Sequence, residues 1–166
     1  MRVSTRGRYA LRIMVDLALH ADEGPVPRRD IAARQELSAD YGAQLCRRLR
    51  EAGLIRGVMG PGGGYTLARG AATITAGDVM RAVEGPISIV HCTDSSDEPS
   101  CTHLDRCTSH MLWEGLSKVM ADFLDSVTLQ NLHDRAQQIA EDARQEDGPN
   151  SFLPLENSVR NPADAP

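Results

Sequence analysis

The sequence predicts a mainly α-helical chain with one small β-hairpin, ordered as a winged helix-turn-helix followed by a long helix. Three observations carry this reading. Apolar residues recur at helical spacing in successive segments before Gly53. A glycine-rich turn, Met59-Gly60-Pro61-Gly62-Gly63-Gly64, separates two short strand-like runs. An apolar stripe then extends from Leu112 to Val127.

Taken in order, Thr5 to His20 sets Ala10, Ile13, Met14, Leu17 and Ala18 on one helical face, with Arg8 and Arg12 opposite. Gly24 and Pro25 mark a loop over 21–26, and Pro27 sits where the first turn of a helix tolerates proline. A short helix to about Arg34 would bury Ile31 and Ala32. After a turn over 35–37, Ser38 is a good N-cap for a third helix ending near Ala52, with Gly53 as its stop. Tyr41, Leu45, Leu49 and Ala52 form its expected buried stripe; Asp40, Gln44, Arg47, Arg48 and Glu51 fall on or near its exposed side. The runs 54–58 and 65–68 are the expected hairpin strands. Thr75 followed by Asp78 resembles a capping box, opening a helix to Glu84 that Gly85-Pro86 ends. Residues 91–106 are polar and read as an exposed loop. A long helix is expected from near Thr108, striped by Leu112, Leu116, Val119, Met120, Phe123 and Val127. Thr128 caps a further helix to about Glu146, and the proline-rich stretch 147–166 reads as a disordered tail.

The chain has 166 residues, 41% hydrophobic but only 4% aromatic, so its core must be aliphatic. That length fits one domain with accessories. No apolar run reaches membrane length. The basic-then-apolar start resembles a signal peptide, but Asp16 interrupts it and no small-residue cleavage site follows, so a cytoplasmic location is expected. The net charge of −5 hides an asymmetry. Residues 1–70 hold twelve arginines against seven acids, a net +5; residues 71–166 hold six basic residues against sixteen acids, a net −10. Only the first half is suited to a polyanion.

That half has the element order of a winged helix-turn-helix, whose third helix enters the major groove of DNA while the wing follows the backbone or minor groove. Arg28, Arg29, Arg47, Arg48, Arg50 and Arg56 are candidate phosphate contacts, with Arg2, Arg6 and Arg8 adding to them from the N-terminus. Ser38, Asp40, Tyr41 and Gln44, near the start of the third helix, are candidate base readers, and glutamine can pair with the adenine edge. Tyr41 suits the core equally well, and surface arginines commonly serve solvation alone. The glycine-rich turn lacks a GK[ST] ending and a following helix, which argues against a nucleotide cradle.

Cys92, Cys101 and Cys107 have the spacing C-x8-C-x5-C, and His110 follows three residues later. Without a secretory signal, disulfides are not expected. Three thiolates and an imidazole complete one four-ligand site, for zinc or for an iron–sulfur cluster. Tight cysteine pairs typical of zinc are lacking, and the open spacing favours a cluster. His91 and His103 are rival ligands, a bare thiol switch is an alternative, and His110 could simply cap the helix. Cys46, on the third helix, reads as packing. No nucleophile–base pair stands out, so no enzyme is predicted.

Several stretches resemble the Rrf family of bacterial winged-helix regulators, especially its iron–sulfur cluster regulator (IscR-type) branch. They are GRYAL at 7–11, GPVP at 24–27, CRRLREAG at 46–53, GPGGGY at 60–65, and the three cysteines followed by His110. The resemblance spans about residues 1–135. It implies a homodimer joined by the long helix, bound to a palindromic operator on double-stranded DNA. It implies a cluster held by Cys92, Cys101, Cys107 and His110, with [2Fe–2S] favoured over [4Fe–4S] because His110 has a counterpart in that branch. It also implies regulation of iron–sulfur assembly or stress genes. The wing contacts would come from Met59, Gly60, Gly62 and Gly63. The chain departs from the family pattern in its longer first cysteine gap, at Met59 and at Ala43.

The expected organisation is a DNA-binding domain over 1–84, a cluster-binding loop over 85–107, a dimerisation helix and C-terminal helix over 108–146, and the tail. Rival readings are the same regulator sensing through zinc or bare thiols, and an iron–sulfur electron carrier, against which the basic first half argues.

Overall fold

A computed structural model describes residues 3–93 and 106–146. The chain divides into two units, Met1–Asp134 and Arg135–Pro166. Helix α1 (Thr5–Leu19) opens on Ser4, whose hydroxyl accepts the amide N–H of Gly7 at 3.1 Å. Its inner face buries Ala10, Ile13, Met14 and Leu17. A 3-10 turn at Ala21–Glu23 leads to α2 (Arg28–Arg34), with Pro27 as the N-cap just outside the helix.

The turn between α2 and α3 (Ala39–Glu51) places Glu36 at φ 54, in the left-handed region that usually selects glycine. The Glu36 N–H reaches the Ala33 carbonyl at 3.2 Å and the Leu37 N–H reaches that of Ala32 at 2.9 Å. Those two bonds satisfy carbonyls that a helix end leaves open. Helix α3 ends the same way at Gly53, φ 70, with bonds from Gly53 to Arg50 at 3.0 Å and from Leu54 to Leu49 at 2.9 Å. At its other end Ser38 caps it, accepting from the Tyr41 N–H at 3.3 Å.

Strands β1 (Ile55–Val58) and β2 (Gly64–Leu67) pair antiparallel, Ile55 opposite Leu67 and Val58 opposite Gly64. Val26 joins their edge, exchanging backbone bonds of 2.9 and 2.8 Å with Tyr65. A Cβ on Gly64 would lie 2.1 Å from the Val26 carbonyl oxygen, so this close approach requires glycine. Helix α4 (Ala76–Glu84) has the predicted capping box: Asp78 N–H to Thr75 Oγ1 at 3.0 Å, Thr75 N–H to Asp78 Oδ2 at 3.1 Å. Helices α5 (His110–Ser126) and α6 (Leu129–Glu146) follow. Thr128 caps α6, its hydroxyl accepting from the Asn131 N–H at 3.1 Å.

The aliphatic core gathers α1, Ile31 of α2, Leu45, Cys46 and Leu49 of α3, Leu54 and Ile55 at the hairpin, Ile74, Val79 and Val83 around α4, and Leu129 of α6. At roughly 25 cal/mol per Å² of apolar area, such burial is the main force holding the three-helix unit together. One charge lies inside it. Asp16 is 4% exposed, and Arg34 meets its two carboxylate oxygens at 2.8 Å each, with Gln35 Nε2 at 3.1 Å. This pair fixes the end of α2 against α1. It also pushes the Arg34 guanidinium further above its ordinary range, chiefly through the Asp16 hydrogen bond.

Four expectations need correction. Ala52 is exposed, because the helix-ending turn at Gly53 carries it off the stripe; Gly42 and Cys46 are buried there instead. The long helix starts at His110, so Cys107 precedes it, although the His110 N–H still reaches the Cys107 carbonyl at 3.2 Å. The stripe on α5 is not core: Leu112, Leu116, Val119 and Phe123 are exposed in the single chain. The stretch 91–106 does not begin as an exposed loop, since His91–Thr93 forms a 3-10 turn in which Cys92 and Thr93 are half-buried. Arg2, Cys101, His103 and 147–166 lie outside the described residues.

Candidate nucleic-acid interface and metal-ligand site

Burial on one side of α3 leaves Ser38, Asp40, Gln44, Arg47 and Arg50 on the other, all exposed, with Arg48 half-buried at the margin. The positions 40, 44, 47 and 51 succeed one another at helical spacing, so they form a single outward row. Within that row Arg47 bonds Glu51 at 2.8 Å, which holds the Glu51 carboxyl below its usual range. Tyr41 is half-buried and meets Tyr9 edge-to-face, ring centroids 6.3 Å apart. It therefore packs α3 on α1 while keeping one edge near the surface. Arg8 and Arg12 lie over the Tyr9 ring at 5.3 and 5.2 Å.

Among the described residues Arg8, Arg28, Arg48, Arg50 and Arg56 form no ion pair and remain available to phosphate. By contrast Arg6 pairs with Glu84 at 2.9 Å and Arg29 with Asp30 at 3.2 Å. Arg6 thereby ties α1 to α4. The wing tip projects fully: Met59 is 97% exposed. Gly60 and Gly62 have φ 108 and 76, and a Cβ on Gly63 would lie 2.4 Å from the Val58 carbonyl oxygen. The wing glycines are thus set first by the geometry of the turn.

The second site forms where α5 begins. His110 is its first residue, and among the described residues the imidazole Nδ1 is buried without a hydrogen-bond partner. Buried polar atoms are almost always satisfied, and an imidazole nitrogen left without a partner is suited to a metal in the tautomer that leaves its lone pair free. Cys107 Sγ lies 3.3 Å from Ser109 Oγ; that contact, then the backbone of Ser109 and His110, lowers its thiol pKa and favours thiolate.

Cys92 is carried by the turn His91–Thr93, which packs against α5. Ser117 is buried in the middle of that helix, and its Oγ accepts the Ile89 N–H at 3.1 Å. It also lies 3.1 Å from Thr93 Oγ1, which donates to the Val90 carbonyl at 2.9 Å. His110 and Ser117 are seven residues apart, close to two full turns, and so share a face of α5. Cys92 is thereby held along the face that bears His110. Among the described residues no three His, Cys, Asp or Glu side chains are already gathered as a metal cage. Cys107 just before α5, His110 at its first position and Cys92 on a turn packed against it nevertheless supply the donor types of a thiolate–imidazole centre.

The α5 face is coupled to the winged unit. Arg81 of α4 grips Asp125 of α5 through bonds of 2.6 and 2.7 Å, and the adjacent backbone adds Ala76 N–H to Val127 at 2.8 Å and Leu129 N–H to Ile74 at 2.8 Å. A Cβ on Gly77 would lie 1.9 Å from Asp125 Oδ1, so the approach needs glycine. The sequence reading missed Ser117, Thr93 and this clamp, because each acts through a partner distant along the chain.

Known proteins resemble the chain along most of its length. The Rrf2 family, described as an iron-dependent transcriptional regulator, matches residues 3–135. The transcriptional regulator IscR of Pectobacterium atrosepticum is 46% identical over 132 residues, covering 80% of this chain and 79% of that protein. IscR of Erwinia tasmaniensis is 44% identical over the same length. Among solved structures, T. potens IscR shares 37% identity at a TM-score of 0.68, covering 84% of this chain and 90% of that one. CymR, the global cysteine regulator of B. subtilis, shares 38% at 0.66, covering 81% and 98%.

Proposed function

The chain belongs to the Rrf2 family of iron-dependent transcriptional regulators, and from that premise we propose an IscR-type regulator whose operator binding is tuned by a bound iron–sulfur cluster. Its relatives are named as regulators of transcription, not as enzymes. The cluster would be [2Fe–2S], held by Cys92, Cys101, Cys107 and His110. The observation that carries this reading is the buried, unpartnered Nδ1 of His110, beside a cysteine whose thiol is biased toward thiolate. When bound, such a cluster supplies a centre sensitive to iron supply, oxidation and nitrosative attack.

This chain's own residues do the rest. Residues 1–84 meet DNA: α3 presents Ser38, Asp40, Tyr41 and Gln44 to bases, while Arg8, Arg28, Arg47, Arg48 and Arg56 hold phosphate and the wing, Met59 with Gly60, Gly62 and Gly63, follows the groove. Residues 85–107 form the sensor loop. Over 108–146, the exposed face of α5, with Met111 79% and Phe123 66% exposed, is covered by a second copy in a two-fold dimer. Two α3 helices then read a palindrome with half-sites about 34 Å apart. The clamp from Asp125 to Arg81 couples the sensor helix to the reading unit. No helix among the described residues is long and apolar enough to cross a membrane; a regulator that binds DNA would work in the cytoplasm.

A second reading is a bare thiol or zinc sensor on the same fold, which the lowered Cys107 pKa favours. Anaerobic purification with iron, sulfide and zinc counts and a visible spectrum separates the two. Iron and sulfide near two each per chain support the cluster; zinc, or neither metal nor sulfide, supports the second reading.

A further inference from the structure

We propose that Ser117 is the positioning residue of the sensor loop: its buried hydroxyl fastens the Cys92-bearing turn to α5 on the face that carries His110. The inference rests on the cluster reading for its purpose, but its geometry stands alone. Ser117 is 6% exposed on a helix whose other face is apolar and open. A buried hydroxyl without partners costs free energy, so its bonds matter.

The protons can be assigned. The Ile89 N–H donates to Ser117 Oγ at 3.1 Å, and Thr93 Oγ1 donates to the Val90 carbonyl at 2.9 Å. The one proton left for the 3.1 Å contact between the two hydroxyls is that of Ser117, donated to Thr93. Ser117 thus bonds residues on both sides of Cys92, Ile89 before it and Thr93 after it. A single side chain closes the turn at both ends, which sets the direction from which the first cysteine enters the site.

The test reads the metal-free, full-length chain first. Alkylation of each cysteine by iodoacetamide is followed by peptide mass spectrometry in wild type, Ser117→Ala, Ser117→Thr and Thr93→Val. Ser117→Ala should raise the Cys92 rate at least about threefold and leave Cys107 unchanged. Ser117→Thr, which keeps the hydroxyl, should stay near wild type, and Thr93→Val should fall between. In anaerobically reconstituted protein, Ser117→Ala should lose visible absorbance to a chelator several-fold faster than wild type. Equal Cys92 rates in wild type and Ser117→Ala overturn the proposal, as does an equal rise at Cys92 and Cys107, which would mean general loosening. A wild-type chain that takes up no iron and sulfide overturns the cluster reading, while the alkylation rates still decide whether Ser117 holds Cys92.

Discussion

Asp125 of α5 and Arg81 of α4 face each other as a two-pronged pair, with N–H···O distances of 2.6 and 2.7 Å. The guanidinium holds the Asp125 carboxyl below its usual range, mainly through that hydrogen bond; Arg6 does the same for Glu84. A carboxylate whose pKa is lowered on folding stabilises the fold above its unfolded value, about 4, and loses that contribution as pH falls through the folded value. Wild type should therefore have a higher thermal midpoint than Asp125→Asn at pH 7, with the gap closing below about pH 4. The pair is about two-fifths exposed, so the gap corresponds to roughly 1 kcal/mol or less. A gap that widens in acid would contradict the assignment.

Glu36 occupies left-handed backbone between α2 and α3. Replacing it with glycine removes a steric cost of about 1 kcal/mol and keeps both helix-ending bonds. Glu36→Gly should raise the thermal midpoint by a few degrees, whereas Glu36→Val should lower it. Calorimetry on the metal-free chain reads both.

Removal of the imidazole should separate stability from function. Among the described residues Nδ1 of His110 is buried and unpaired, so His110→Leu removes an unsatisfied polar atom with a side chain of similar bulk. The metal-free variant should be as stable as wild type or more so, by up to about 1–2 kcal/mol, yet retain little iron after reconstitution. A variant that unfolds would mean that the imidazole is structural.

DNA affinity should carry a steep salt term. With about six to ten phosphate contacts per dimer, affinity falls roughly 10³–10⁵-fold between 50 and 200 mM salt. Arg56 has no ion pair among the described residues, so Arg56→Ala should flatten the slope by about one unit per protomer without changing sequence preference. Met59→Arg, at the exposed wing tip, should steepen it. Equal slopes in all three proteins would remove both residues from the backbone contact.

What could be read from the sequence was chemistry confined to a few neighbours. Ser38 and Thr75 announce helix starts because each cap bonds an amide three residues on. The hairpin followed from its glycine turn, and the stripes of α1 and α3 from spacing alone. The stripe of α5 announced a helix but not its partner, since periodicity cannot say whether a face meets its own chain or another. Glu36 was illegible because glutamate rarely takes the conformation it has. Asp16–Arg34, Arg81–Asp125 and Ser117 with Ile89 and Thr93 join residues 18 to 44 positions apart, and single-sequence spacing does not report such pairs. At the candidate metal site the sequence shows the cysteines and His110, but not the orphaned nitrogen or the anchoring of the Cys92-bearing turn.

The central claim is that one chain both reads DNA and adjusts that reading to its cluster. The direct measurement is the affinity of anaerobically purified protein for its own operator, selected from random-sequence DNA, before and after chelation at fixed salt. The account predicts a change of at least about tenfold, corresponding to about 1.4 kcal/mol of coupling, within the usual range for linked sites. It also predicts that Cys92→Ala, Cys101→Ala, Cys107→Ala and His110→Leu each bind as the chelated wild type does. Identical affinities with and without the cluster, in a protein shown to carry one, would contradict it.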